Sequence, residues 1–188
     1  MYFGKEIRGR VVDADTGVGL DSVSIVAEWQ IYVTVIQPHL GPRLKVIEAS
    51  TTSAGNYVVP GWGPRLRPLW GVLEEHSPAL TFFKSGYYPK WVMNTRASDH
   101  MIRISDFDGK TIELKKFDGD LSRLNRLLLS TDAWLTGCWR DCPRYVLALD
   151  AEAKRLRNIV PTNMMFAFPR ELESMSPPDR AYFSRFRQ

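Results

Sequence analysis

Three short fragments constrain the fold of this chain more than anything else in it. In order they are Ile7-Arg8-Gly9-Arg10-Val11-Val12-Asp13-Ala14-Asp15-Thr16-Gly17, then Thr52-Ser53-Ala54-Gly55-Asn56-Tyr57, then Phe83-Lys84-Ser85-Gly86-Tyr87-Tyr88-Pro89. Each reads as the end of a strand entering a tight turn. In the first, Ile7, Gly9 and Val11 alternate with Arg8 and Arg10, the period of a half-buried strand. Asp13 then offers a carboxylate to the N–H groups of a turn, and Gly17 can take the positive φ that closes it. Further strands are predicted over 23–36, 45–53, 57–59, 79–84, 90–93, 100–104 and 110–115, with a hairpin turn at 53–56. The 23–36 run is long enough to need a bend or bulge. Residues 38–42 read as a loop. The stretch Pro60-Gly61-Trp62-Gly63-Pro64-Arg65-Leu66-Arg67-Pro68 reads as irregular backbone, because each Pro removes a donor and each Gly adds freedom. The expectation is a mainly β protein, an antiparallel sandwich of seven to eight strands.

After Gly119 the period changes. Leu121, Leu124, Leu127 and Leu128 fall on one helical face. Pro143 sits where a first helical turn tolerates it, ahead of a stripe of Val146, Leu149, Ala153 and Leu156. Asp150, Glu152, Lys154 and Arg155 are expected on the opposite, outward face. Ser176-Pro177-Pro178-Asp179 opens a short terminal helix through Tyr182, Phe183 and Phe186. Such stripes need a surface to cover. The chain is therefore divided into a sandwich at 5–117 and a helical extension at 118–188 packed on it.

The net charge of +4 comes from cations interspersed among acids, which is not the concentrated basic face that nucleic acid requires. No window approaches the ~18 apolar residues of a membrane span. The start, Met1-Tyr2-Phe3-Gly4, has no basic stretch followed by an apolar one. Two readings follow. Either the protein is cytoplasmic, or it is exported and a removed or lipidated N-terminal segment precedes the sequence; the second is preferred, and membrane contact would come only through that segment. Cys138 and Cys142 are too few to close a zinc site, and their spacing is not that of a C-x-x-C redox motif. A local Cys138–Cys142 disulfide, implying an oxidising compartment, is the economical reading, with two reduced, partly buried thiols as the alternative.

The three opening fragments resemble the carboxypeptidase regulatory-like domain, a transthyretin-like (prealbumin-like) β-sandwich. Ile7, Gly9, Val11, Asp13, Thr16, Gly17, Leu20 and Ile25 match its first motif, Thr52, Gly55 and Tyr57 its second, and Lys84, Gly86 and Tyr87 its third. Gly19 stands where Pro is usual, and Val23 is bulkier than the small residue common there. The likeness covers about residues 5–115. It implies a non-catalytic companion module, in many cases exported, that aids assembly or contacts a partner. Small bacterial envelope proteins, periplasmic or lipoproteins, carry similar tails.

Nothing in the sequence assembles a catalytic or metal site, and no cofactor is expected. His39, His76 and His100 lack ligand spacing, and there is no G-x-S-x-G. Hydroxyisourate hydrolases share the fold but end in Tyr-Arg-Gly-Ser, whereas this chain ends Arg185-Phe186-Arg187-Gln188. Intradiol dioxygenases on related sandwiches bind iron through Tyr and His; here Tyr87 and Tyr88 are adjacent and the histidines are poorly placed. The candidate binding surface is the segment carrying Trp62, Arg65, Arg67 and Trp70, residue types enriched at interface hot spots. Packing of both tryptophans against the core is the competing reading. The expected function is a non-enzymatic protein-interaction or structural module of the bacterial cell envelope. The alternative is a small-ligand or glycan binder that stacks its ligand on Trp62 and Trp70. A hydrolase trails both.

Overall fold

In the computed structural model the alternating run of the first fragment becomes strand β2 (Ile7–Asp13), and among the described residues ten further strands accompany it: β1 (Tyr2–Gly4), β3 (Ser24–Val33), β4 (His39–Ser50), β5 (Asn56–Val59), β6 (Trp62–Arg65), β7 (Gly71–Leu73), β8 (Ala79–Phe83), β9 (Lys90–Met93), β10 (Ile102–Arg103) and β11 (Lys110–Leu114). After them the described residues include the helices α1 (Pro143–Arg157) and α2 (Pro177–Ser184), with further helical residues at 123–124 and 126–128. The structure describes residues 1–34, 39–97, 99–120, 123–124, 126–128, 140–157 and 176–186. The sequence expectations at Leu121 and Cys138, and for the side chains of Ala153 and Leu156, lie outside this set.

One layer is a sheet in the order β4-β3-β8-β9, with β7 paired to the far half of β3. The other is made by two three-stranded sheets, β11-β2-β5 and β10-β1-β6. Their members follow one another in the chain, β1 into β2, β5 into β6 and β10 into β11, so they read as one layer interrupted midway. Between the layers lie Ile7, Val11, Tyr57, Val59, Ile112 and Leu114 from one side and Ile25, Ala27, Trp29, Ile31, Leu80 and Phe82 from the other. The chain is mainly β, as expected, but not wholly antiparallel: β11 pairs parallel with β2 and β10 with β1, because each follows a long connection rather than a hairpin. Its strands exceed the expected seven to eight because the short strands β1, β6 and β7 add to the frame.

Two of these pieces overturn loop expectations. Strand β4 begins at His39, so Gly41 and Pro42 are strand residues. Strand β6 runs through Pro64 and pairs antiparallel with β1. Both are edge strands, where a missing N–H costs no ladder bond if it faces outward. The bulge expected in the long strand is present, with register shifts on either side of Gln30.

The turn after β2 is built as its residues dictate. Asp13 Oδ1 accepts the N–H of Asp15 at 3.0 Å, the N–H of Thr16 at 2.9 Å and the Thr16 hydroxyl at 3.1 Å. Tyr87 donates its hydroxyl to Asp13 Oδ2 at 2.9 Å, tying the third fragment to the first. Gly17 closes the turn at φ 69°. Gly19 packs closely on the second turn: a Cβ there would sit 2.2 Å from the carbonyl oxygen of Ala54. The Thr16 N–H, then the Tyr87 hydroxyl, hold the Asp13 carboxyl below its ordinary value. A depressed carboxylate stabilises the fold fully above its unfolded value, near pH 4, and the benefit is lost as pH falls through the folded value. Asp13→Asn is therefore expected to lower the urea midpoint at pH 7, with the gap to wild type closing toward pH 2–3. A gap independent of pH would contradict this account.

The outer face of the large sheet is also covered over half its length. Val26, Phe83 and Tyr88 pack against Leu124, Leu128, Cys142, Tyr145 and Leu149. Glu48 of β4 accepts the N–H groups of Tyr145 at 2.6 Å and Arg144 at 3.2 Å, a carboxylate at the N-terminus of α1. One sequence expectation is reversed here. Glu152 and Asp150 are buried rather than outward. Ser85 donates to Glu152 at 2.5 Å, and Arg155 grips the same carboxylate with two N–H groups at 2.8 and 2.6 Å. Asp150 pairs with Lys154 at 2.9 Å. An acid can be buried when its charge is met this way.

Candidate functional site

Strands β6 and β7 are joined by residues 66–70, and this connection carries the exposed apolar side chains Leu66, Leu69 and Trp70. Arg65 and Arg67 beside them are exposed as well. The loop is held at both ends. At one end Arg65 is paired to Tyr2. At the other, Gly71 is paired to Val33, and Thr34 donates its N–H to the Trp70 carbonyl at 3.2 Å. The Trp70 ring lies beside Gly41, within ordinary van der Waals reach of where a Cβ would stand. A turn of large apolar and guanidinium groups, anchored in sheet at both ends, is preorganised contact area.

The structure divides the four residues singled out in the sequence. Arg65, Arg67 and Trp70 are at the surface. Trp62 packs against the core, edge-on to Trp29 with ring centroids 5.3 Å apart. It also lies against Gly4, where a Cβ would fall 2.2 Å from its Nε1. Of the two tryptophans, packing is thus correct for Trp62 and exposure for Trp70. The contribution of Leu66 and Leu69 was missed. They interrupt an Arg/Pro run, and that interruption was the available signal.

The other residues considered from the sequence have ordinary neighbours. His76 Nδ1 lies 2.9 Å from the Asn94 carbonyl, His39 opens β4, and His100 is exposed beside Asp99. The Tyr87 hydroxyl is given to Asp13 and that of Tyr88 to Asp118. Arg123 stacks over the Tyr88 ring, 4.6 Å from its centroid. Cys142 is buried beneath α1; the proposed pairing with Cys138 lies outside the described residues. Among the described residues, no group of three or more His, Cys, Asp or Glu could hold a metal ion. No helix among them is long and apolar enough to cross a membrane.

No family model matches this chain, and no curated protein does. Solved structures give distant likenesses. A group B streptococcus pilus 2b backbone protein is 14% identical with a TM-score of 0.33, over 61% of this chain and 42% of its own. Chlorocatechol 1,2-dioxygenase from Pseudomonas putida is 13% identical with a TM-score of 0.34, over 61% of this chain and 60% of its own. A 9R-lipoxygenase from Cyanothece PCC8801 is 11% identical with a TM-score of 0.28, over 84% of this chain and 25% of its own. The matched part is thus less than two thirds of each of these proteins, and at this level of likeness none of them bears on function.

Proposed function

We propose that the chain is a non-catalytic interaction module on a prealbumin-like sandwich, and that the 65–70 tip is the surface it presents to another protein. The observation that carries this reading is the exposure of Leu66, Leu69 and Trp70 within five consecutive residues, with the exposed Arg65 and Arg67 on either side of Leu66. Apolar area left in water forgoes about 25 cal/mol per Å², which a partner would recover on docking. The separation of Trp62 from Trp70 favours a protein over a glycan, because a stacking platform would need both rings at the surface. The Asp13 turn and the positive φ of Gly55 and Gly86 support the prealbumin-like assignment. Location in the bacterial envelope follows from the sequence resemblance.

The test is a photo-cross-linking amino acid at position 69 in source cells, with position 58 on another exposed strand as control. One partner captured from position 69, absent from position 58, and lost with Trp70→Ala is the expected result. Trp70→Ala should itself move stability by no more than about 0.5 kcal/mol, as for other surface changes. Equal capture from both positions, or none, would overturn the reading. A captured partner without an export signal would overturn the envelope location.

A further inference from the structure

Among the described residues, helix covers the outer face of the large sheet at its Val26 end. Beyond that edge the cross-strand row Glu28–Ala79–Met93 is open, and the smallest side chain lies in its middle. A hollow of about 150 Å³ results, walled by Glu28, Glu74, Leu40, Trp91 and Met93, with Ser77 at its end. Ser77 places its hydroxyl between Glu74 Oε2 at 3.4 Å and the Gln30 N–H at 3.3 Å.

Glu28 is the unusual member. It is the one acid in the otherwise apolar run 25–29 of the central strand, and only 2% of its side chain is exposed. Arg43 donates to its Oε2 at 2.6 Å, but Oε1 has no hydrogen-bond partner. An unmet carboxylate oxygen in a low-dielectric wall is costly. Burial raises the Glu28 carboxyl although the Arg43 guanidinium opposes the shift. The walls thus combine the Glu74 carboxylate and the one unmet oxygen of the Arg43-paired Glu28 with an indole and two apolar side chains, the chemistry that holds an organic cation: charge on one side, ring face and hydrocarbon on the other.

We propose that this hollow is a binding site for a small organic monocation, an alkylammonium or guanidinium head group. Glu28 and Glu74 take the charge, and Trp91, Leu40 and Met93 hold the stem. Its volume is below the ~300 Å³ at which pockets take whole drug-sized ligands, so it fits a head group rather than a sugar ring or nucleotide. The cation could be free or the end of a lysine or arginine side chain on a partner; the chemistry is shared. The site lies away from the 65–70 tip and does not depend on its role.

The experiment is NMR titration of the full chain with n-butylammonium, with n-butanol as neutral control, and with an uncharged-ended pentapeptide carrying one central lysine. Saturable shifts of the Trp91 indole with n-butylammonium but not n-butanol are expected. Tighter binding of the peptide would identify a side chain as the occupant, and equal or weaker binding a free amine. Glu28→Gln tests the central residue. Glu74→Gln and Ala79→Leu, which remove one charge and fill the hollow, serve even where that variant does not fold. Each should bind at least about tenfold more weakly than wild type. Absence of saturation, shifts equal with n-butanol, or affinity unchanged in both Glu74→Gln and Ala79→Leu would overturn the site.

Discussion

Trp29→Ala is expected to lower stability by about 3–5 kcal/mol, the range for truncating a buried Trp or Phe. Trp29 is fully buried at the centre of β3, where its ring meets the edge of Trp62. Truncation leaves a cavity between the layers and removes the support on which β6 rests. Trp62, its ring neighbour, belongs to a strand of the opposite layer, so collapse into the void would have to draw that layer in. Typical domains have only about 5–15 kcal/mol in total, so the loss would be a large fraction of the whole. Urea titration followed by far-UV dichroism would show it as a lower midpoint at similar slope. A loss under about 1 kcal/mol would mean that the interior relaxes and that Trp29 is not its keystone.

The second large effect is expected at the other interface. Tyr145 is buried under the helical layer, edge-on to Phe83 with ring centroids 5.7 Å apart. Tyr145→Ala should cost about 3–5 kcal/mol by the same comparison with buried aromatics. It should also uncover Val26 and Phe83, and so raise binding of an apolar dye. The expected unfolding curve remains a single transition, because Glu48 holds the N-terminus of α1 and Ser85 holds its Glu152. Two transitions would show instead that the helical layer melts separately from the sandwich.

What the sequence revealed, and what it hid, follows from whether the deciding neighbour was local. Strand β2 and its turn were legible because Asp13, Thr16 and Gly17 carry their instructions within five residues. The start of β4 and all of β6 were not, because Pro42 and Pro64 read as breakers unless the strand is known to be an edge. Edge position is decided by the whole sheet. Glu152 was placed outward because helical period shows only where apolar residues lie; Ser85, which draws it inward, is on a distant hairpin. At the candidate surface the same limit applied. Trp62 and Trp70 look alike in sequence, and it is Gly4 opposite Trp62 that admits one of them to the interior.

Strand β3 has both faces engaged, odd positions toward the sandwich interior and even ones toward the helices and the Glu28 hollow. A one-residue slip moves every side chain of a strand to the opposite face, and here neither face can receive the other's set. Sliding it by one residue against β8, so that Trp29 pairs with Ala79, would turn the indole outward and drive the Glu28 carboxylate into the interior place of Ala27, opposite Leu80. The price of that error is an unmet charge in an apolar interior, far larger than a misplaced methyl group. The acid that marks the hollow thus also fixes the alignment of the central strand, by making the neighbouring alignment uninhabitable.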